Sequence, residues 1–270
     1  MYFILILAIL IILYLFLVAT RSGKVEKADL TNYCYAHRGL HNKPEVPENS
    51  MKAFKLAIEN GYGAELDVHL LSDGTLAVIH DSELIRTTGA EGVVENLTKE
   101  SIKNYSLEGT DEKIPTFKEV LQLFENKTPL VIELKAYKGN HKKLAEAVCK
   151  ELEGYKGKYC IESFDPRCLI WLKKNKPEII RGQLSQNFML TPSGQGRVLD
   201  FILTNLLLNV VTRPDFIAYR FEDRKNLSNV LATKFFGAAP FTWTITDGVS
   251  FEKVKTEKLT PIFEKFQPKI

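Results

Sequence analysis

Between Tyr35 and Asp81 the chain places Ala36-His37-Arg38-Gly39, Pro47-Glu48-Asn49-Ser50, Glu65-Leu66-Asp67 and His80-Asp81. Carboxylates hold hard divalent cations, imidazoles move protons near neutrality, and a guanidinium matches phosphate oxygens. Crowding such groups among apolar strand residues costs stability unless they share a task, because charge leaves water only with a partner. The set points to metal-assisted chemistry on a phosphate.

Glu65 and Asp67 stand at i and i+2, so on a strand both carboxylates leave the same face. Such a pair is ordinarily a solvated strand edge. Here the strand reads as the second of a parallel barrel, whose carboxyl ends assemble sites. Glu133, in Val131-Ile132-Glu133-Leu134-Lys135, repeats the arrangement on the next barrel strand, and Lys135 shares its face. Three carboxylates from adjacent strand ends suit magnesium, calcium or manganese better than zinc. A lone His37 would be a packed structural group. With Arg38 beside it and His80 across the mouth, it reads as one of an acid–base pair next to a phosphate contact.

The elements that must position these groups follow from the hydrophobic pattern. Strands are predicted at Tyr33–His37, Gly63–Leu70, Leu130–Lys135, Tyr159–Phe164, Ile179–Leu184, Asp215–Tyr219, Pro240–Ile245 and Thr260–Phe266. Helices are predicted between them, at Ser50–Asn60, Thr116–Phe124, His141–Glu153, Pro166–Asn175 and Leu227–Phe236. Eight alternations over about 240 residues give an α/β chain with a TIM-like (β/α)8 barrel. An open doubly wound sheet is the competing architecture, but no glycine-rich phosphate loop follows the first strand.

A further apolar run, Thr75–His80, follows Gly63–Leu70 too closely for a parallel crossover, which needs about a dozen residues. Asp73-Gly74 is a preferred two-residue hairpin turn, so the run is expected to return antiparallel. With those two residues in the turn, Ser72 faces Thr75 and His80 lies opposite Asp67.

Residues Tyr2 to Thr20 carry no charge. A run of about 19 residues spans most of a hydrocarbon core of about 30 Å, so residues 1–20 read as an uncleaved transmembrane anchor. A cleaved signal peptide fits less well, since no basic segment precedes the run and no small-x-small site closes it. Residues 21–31 read as a linker and 32–270 as the barrel. Arg21, Lys24 and Lys27 after the span favour a single-pass protein with its catalytic domain on the cytoplasmic side and a lipid bilayer as partner. The four cysteines lack metal-type spacing and read as buried free thiols. The net charge of +3 is scattered, which excludes a nucleic-acid footprint.

The ordered set His37-Arg38-Gly39, Pro47-Glu48-Asn49-Ser50, Glu65-x-Asp67, Ser72-Asp73-Gly74, His80-Asp81, Arg86-Thr87-Thr88-Gly89, Ile114-Pro115-Thr116, Ile132-Glu133-x-Lys135, Ser163-Phe164-Asp165 and Thr242-Trp243-Thr244 resembles the glycerophosphodiester phosphodiesterase family. The resemblance, here to a membrane-anchored bacterial-type member, covers most of the chain beyond residue 31. It implies a TIM-like barrel that hydrolyses glycerophosphodiesters to glycerol 3-phosphate and an alcohol, with one divalent cation, calcium or magnesium. By the same resemblance Glu65, Asp67 and Glu133 hold the metal, His37 and His80 are the catalytic acid and base, and Arg38 and Lys135 contact phosphate. Trp243 matches a pocket aromatic, its bland role being to pack the barrel end. Asn49 braces the first loop or shares a helix cap with Ser50.

Two stretches depart from the family pattern. The usual glycine- and aspartate-rich ending is replaced by Pro261-Ile262-Phe263-Glu264-Lys265-Phe266, and Arg197 to Val211 is rich in apolar residues. The second stretch reads as an outer helix with a broad core face, or as another membrane contact. Lysophospholipase D-like cleavage of membrane lysolipids is the rival activity. A catalytically dead binding protein is disfavoured, because each acid, base, metal and phosphate position holds a competent residue.

Overall fold

The computed structural model describes residues 2–269; Met1 of the expected anchor and Ile270 of the expected barrel lie outside them. Each apolar run predicted as a barrel strand forms one: β1 (Tyr35–Ala36), β2 (Gly63–Leu70), β4 (Leu130–Leu134), β5 (Tyr159–Ser163), β6 (Arg181–Ser185), β7 (Phe216–Arg220), β8 (Ala239–Ile245) and β9 (Thr260–Phe263), with β3 (Leu76–Val78) outside the alternation. Pairing runs β1-β9-β8-β7-β6-β5-β4-β2, all parallel, and β1 pairs with β2 to close the ring. Closure buries most positions on both faces of the strands, which explains near-continuous apolar runs. Outward side chains such as Leu66, Val68, Ile132 and Ile161 pack beneath the helices. Tyr35, Val131, Cys160, Leu184, Phe216 and Phe241 plug the lumen. The acidic residues Glu65, Asp67, Glu133 and Glu162 lie toward the strands' carboxyl ends, while Arg181 and Asp215 are buried at the amino ends of β6 and β7.

Local signals fix the helices. Ser50 accepts a hydrogen bond from the Ala53 amide at the start of Met51–Glu59, and Thr116 with Glu119 forms a capping box on Phe117–Phe124. Asp165 caps Pro166–Asn175, whose proline stands in the first turn.

The hairpin register differs from expectation by one residue. Val68 pairs with Val78, His69 with Ala77 and Leu70 with Leu76, so the Asp67 carbonyl accepts from the Ile79 amide rather than facing His80. The Leu71 amide donates to the Thr75 carbonyl, which makes the loop three residues long with Gly74 at φ 87°. A three-residue loop ending in a left-handed glycine competes with the two-residue turn for Asp-Gly, and wins here. His80 still reaches the mouth because the regular strand ends at Val78 and the Ile79 amide makes the last backbone bond to β2.

The transmembrane expectation is corrected. Among the described residues no helix is long and apolar enough to cross a membrane. The first helix, Tyr2–Val18, has 17 residues, about 25 Å against a core of about 30 Å. Its last turns are committed to the barrel: Val18 is buried, Tyr14 Oη lies 2.7 Å from Ser228 Oγ, and Asn209 Nδ2 donates to the Val18 carbonyl. The single-pass placement read from the flanking bases falls with the span. Two of those bases have partners on the protein: Arg21 pairs with Asp215 at 2.6 Å and Lys24 donates to the Pro177 carbonyl.

Residues 21–31 lie against the barrel, with Val25 and Leu30 fully buried. Arg197–Thr204 and Asn209–Thr212 are outer helices, yet they bury Asp200, Thr204, Asn209 and Thr212 and expose Val198, Phe201 and Val211. Hydrogen bonds, not a broad apolar face, hold them. Asp200 accepts from Ser193, and Thr204 Oγ1 accepts from the Phe188 amide.

Candidate active site

Two strands supply the acidic centre. Glu65 and Asp67 leave β2 into the lumen, and the β2–β4 register sets Asp67 beside Glu133. One oxygen from each of the three lies within 4.8 Å of the others, and all three residues are buried. Asp67 Oδ1 has no hydrogen-bond partner among the described residues, and the donors are all hard oxygens. The set fits a divalent cation.

Cations of the chain enclose it. Lys135 Nζ is 3.1 Å from Glu133 Oε1 and 3.5 Å from Asp67 Oδ1. Arg38 sits at φ 55°, which turns its amide onto Glu65 Oε2 at 3.0 Å while Nη1 donates to Glu48 Oε1 at 2.8 Å. Gly39 follows at φ 79°, where a Cβ would come 2.8 Å from that of Ala53, so the loop hugs the first barrel helix. Asn49 Nδ2 donates to Asp67 Oδ2 at 2.9 Å, bracing a carboxylate, while Ser50 alone caps the helix.

The two imidazoles are held alike. His37 Nδ1 meets Glu264 Oε2 at 2.8 Å, with Nε2 3.9 Å from Glu65 Oε2. His80 Nδ1 meets Asp81 Oδ1 at 2.6 Å, and Arg86 bonds Asp81 and Glu48 together. A carboxylate on Nδ1 keeps a proton there and leaves Nε2 free to exchange one. Trp243 does not join this cluster: its Nε1 donates to the Ala218 carbonyl and its ring lies edge-on to Phe164 at 5.6 Å.

Burial and neighbouring charge set the protonation. Burial, with Asp67 and Glu133 nearby, pushes the Glu65 carboxyl well above its ordinary range. Burial raises Glu133 to about 7 despite Lys135. Burial also opposes charge on Asp67, but Lys135, His80 and Arg38 together outweigh it and hold that carboxyl well down. Desolvation lowers both imidazoles, His80 to about 4. In Glu264 the hydrogen bond from His37 leads in pulling the carboxyl far below the usual range.

The sequence reading named neither Glu264, Asp81, Glu48 nor Arg86 as site residues. Three of them lay inside quoted motifs, and Glu264 lay in the stretch that departs from the family. His69 was also missed: fully buried, it bridges Glu95 Oε1 at 2.6 Å and the His80 carbonyl at 3.1 Å. Its place two residues beyond Asp67 on the same strand face was the available signal. From His80, Glu133 and Lys135 a cavity of about 1010 Å³ opens outward, with Ile85, Leu134, Phe164, Phe188, Leu199 and Leu203 among its walls.

A profile of the glycerophosphoryl diester phosphodiesterase family matches residues 37–263. A glycerophosphodiester phosphodiesterase of Caldanaerobacter subterraneus subsp. tengcongensis is 40% identical over 169 residues, covering 58% of this chain and 68% of the relative. Among solved structures, a glycerophosphodiester phosphodiesterase of Thermotoga maritima superposes with a TM-score of 0.66 at 26% identity, over 86% of this chain and 93% of that one. An Oleispira antarctica phosphodiesterase in complex with the product sn-glycerol-3-phosphate has the same fold, with a TM-score of 0.71 at 24% identity over 86% and 92%.

Proposed function

The chain belongs to the glycerophosphoryl diester phosphodiesterase family, and from that premise we propose that it hydrolyses glycerophosphodiesters to glycerol 3-phosphate and an alcohol by metal-dependent acid–base catalysis. The observation that carries this reading is the convergence of Glu65, Asp67 and Glu133 within 4.8 Å at one barrel mouth, beside two histidines each held by a carboxylate. A divalent cation bound there, calcium or magnesium, would offset charge developing on the phosphoryl oxygens. Arg38 and Lys135 orient the phosphate and share that task. One histidine takes the proton of the attacking oxygen and the other protonates the departing alcohol. Trp243 supports the rim of the pocket through Phe164.

The test is release of glycerol 3-phosphate from glycerophosphocholine by the purified chain, with and without chelator. Activity that is indifferent to chelation and to His37→Ala would refute the mechanism.

A second reading is favoured by one observation. The cavity beside His80 is walled by Phe164, Phe188, Leu199 and Leu203, which suits an alcohol bearing an acyl chain. Lysophospholipase D-like cleavage would then outrank small diesters. Rates on lysophosphatidylcholine and glycerophosphocholine, compared side by side, separate the two.

A further inference from the structure

One carboxyl in the lumen has no part in the chemistry above. Glu162 is the next side chain round the barrel from Glu133, which it faces directly in the β4–β5 register. It is 1% exposed, and its Oε2 meets no hydrogen-bond partner among the described residues. A buried carboxylate without a partner is strongly unfavourable.

The donors close to Glu162 in the chain and the register are already engaged. Gln183 gives its amide hydrogens to the Ser163 and Leu184 carbonyls, and its free Oε1 is itself an acceptor. Ser163 Oγ donates to the Leu134 carbonyl. Lys135 pairs with Glu133 and Asp67. Beside Glu162 in the lumen stands Glu133, and beyond Glu133 stands Asp67, so its neighbours on that side are the acidic triad, where a cation would sit. Glu162 is not one of the three whose ligand atoms gather within 4.8 Å.

We propose that Glu162 is a fourth carboxylate of the cation site, acting from outside the triad by supplying negative charge and an acceptor to the hydrated cation. Magnesium and calcium commonly keep waters when bound to proteins, and an outer carboxylate that accepts from them strengthens binding. An unpartnered acid in the lumen is then explained by the ion it faces. The inference rests on the reading of the triad as a metal site.

The experiment uses the full chain, stripped with chelator and titrated calorimetrically with calcium, magnesium or manganese alone. Glu162→Gln keeps the shape and removes the charge, and should weaken binding about 10- to 100-fold. The stripped variant should melt no lower than the stripped wild type, since an uncompensated acid has gone. Glu162→Met, with no polar atom, should weaken binding in the same way. An E162Q affinity within about twofold of wild type, or a stripped E162Q that melts well below wild type, would overturn the proposal. Glu65→Gln is the control that separates the two failures. If wild type binds, E65Q does not and E162Q is unchanged, only the present inference falls; if wild type binds none of the three cations, the triad reading falls with it.

Discussion

His37 and His80 present a free Nε2 only because Glu264 and Asp81 hold the other nitrogen. Replacing either histidine with alanine should lower kcat by about 10²- to 10⁴-fold, the usual worth of a positioned acid or base. Cation affinity measured by calorimetry should stay near wild type, because neither ring is in the oxygen cluster. Glu264→Gln is the finer test. It retains a hydrogen-bonding side chain but lets His37 adopt the wrong tautomer, so kcat should fall by about 10²-fold or more with KM little altered. The limb of the pH–rate profile that belongs to His37 should also move to lower pH, since the carboxylate that favours the charged ring is gone. A kcat loss without that displacement would mean that Glu264 merely packs.

Elements place these residues, and here legibility in the sequence was uneven. Barrel strands were readable because closure buries both faces and leaves long apolar runs, and Glu65, Asp67 and Glu133 were readable because period two projects them to one side. Register in the hairpin was not, because Ser72-Asp73-Gly74 accommodates a two- or a three-residue loop, and only packing of β3 decides. Partner choice among charges was invisible for a similar reason: Glu264 and His37 are 227 residues apart and meet only when β9 lies beside β1. An apolar stretch such as Tyr2–Val18 has the same composition whether or not its last turns pack on a barrel. Two element-level substitutions follow. Gly39→Ala forces a Cβ against Ala53 in a left-handed conformation and should cost about 1–3 kcal/mol, read as a lower urea midpoint. Glu95→Gln loosens His69 and with it the segment carrying His80; a displacement near 1 Å should cost up to about 10²-fold in kcat, with cation binding unchanged in the same titration.

At the scale of the whole molecule, the barrel closes round four buried carboxyls, Glu65, Asp67, Glu133 and Glu162, with Arg38 and Lys135 beside them. That excess of acid ties fold stability to protons and, on the proposed reading, to a cation held by the triad. Glu133 has an ordinary value of 4.5 and is raised by burial to about 7, and Glu65 is raised in the same direction. An acid raised on folding contributes stability that is complete below its unfolded value and is lost as pH climbs through the folded one. In the stripped protein this contribution therefore disappears between about pH 4.5 and 7. A cation held by the triad would reverse the dependence, because it would bind the ionised carboxylates and have to displace their protons when pH is low. The rise in melting temperature on adding saturating calcium should be larger at about pH 8 than at about pH 5, and calorimetry in buffers of different ionisation enthalpy should show protons released on binding at the lower pH. A melting increment independent of pH would mean that these carboxyls are already ionised in the stripped barrel, and that the lumen holds its charge by internal pairing alone.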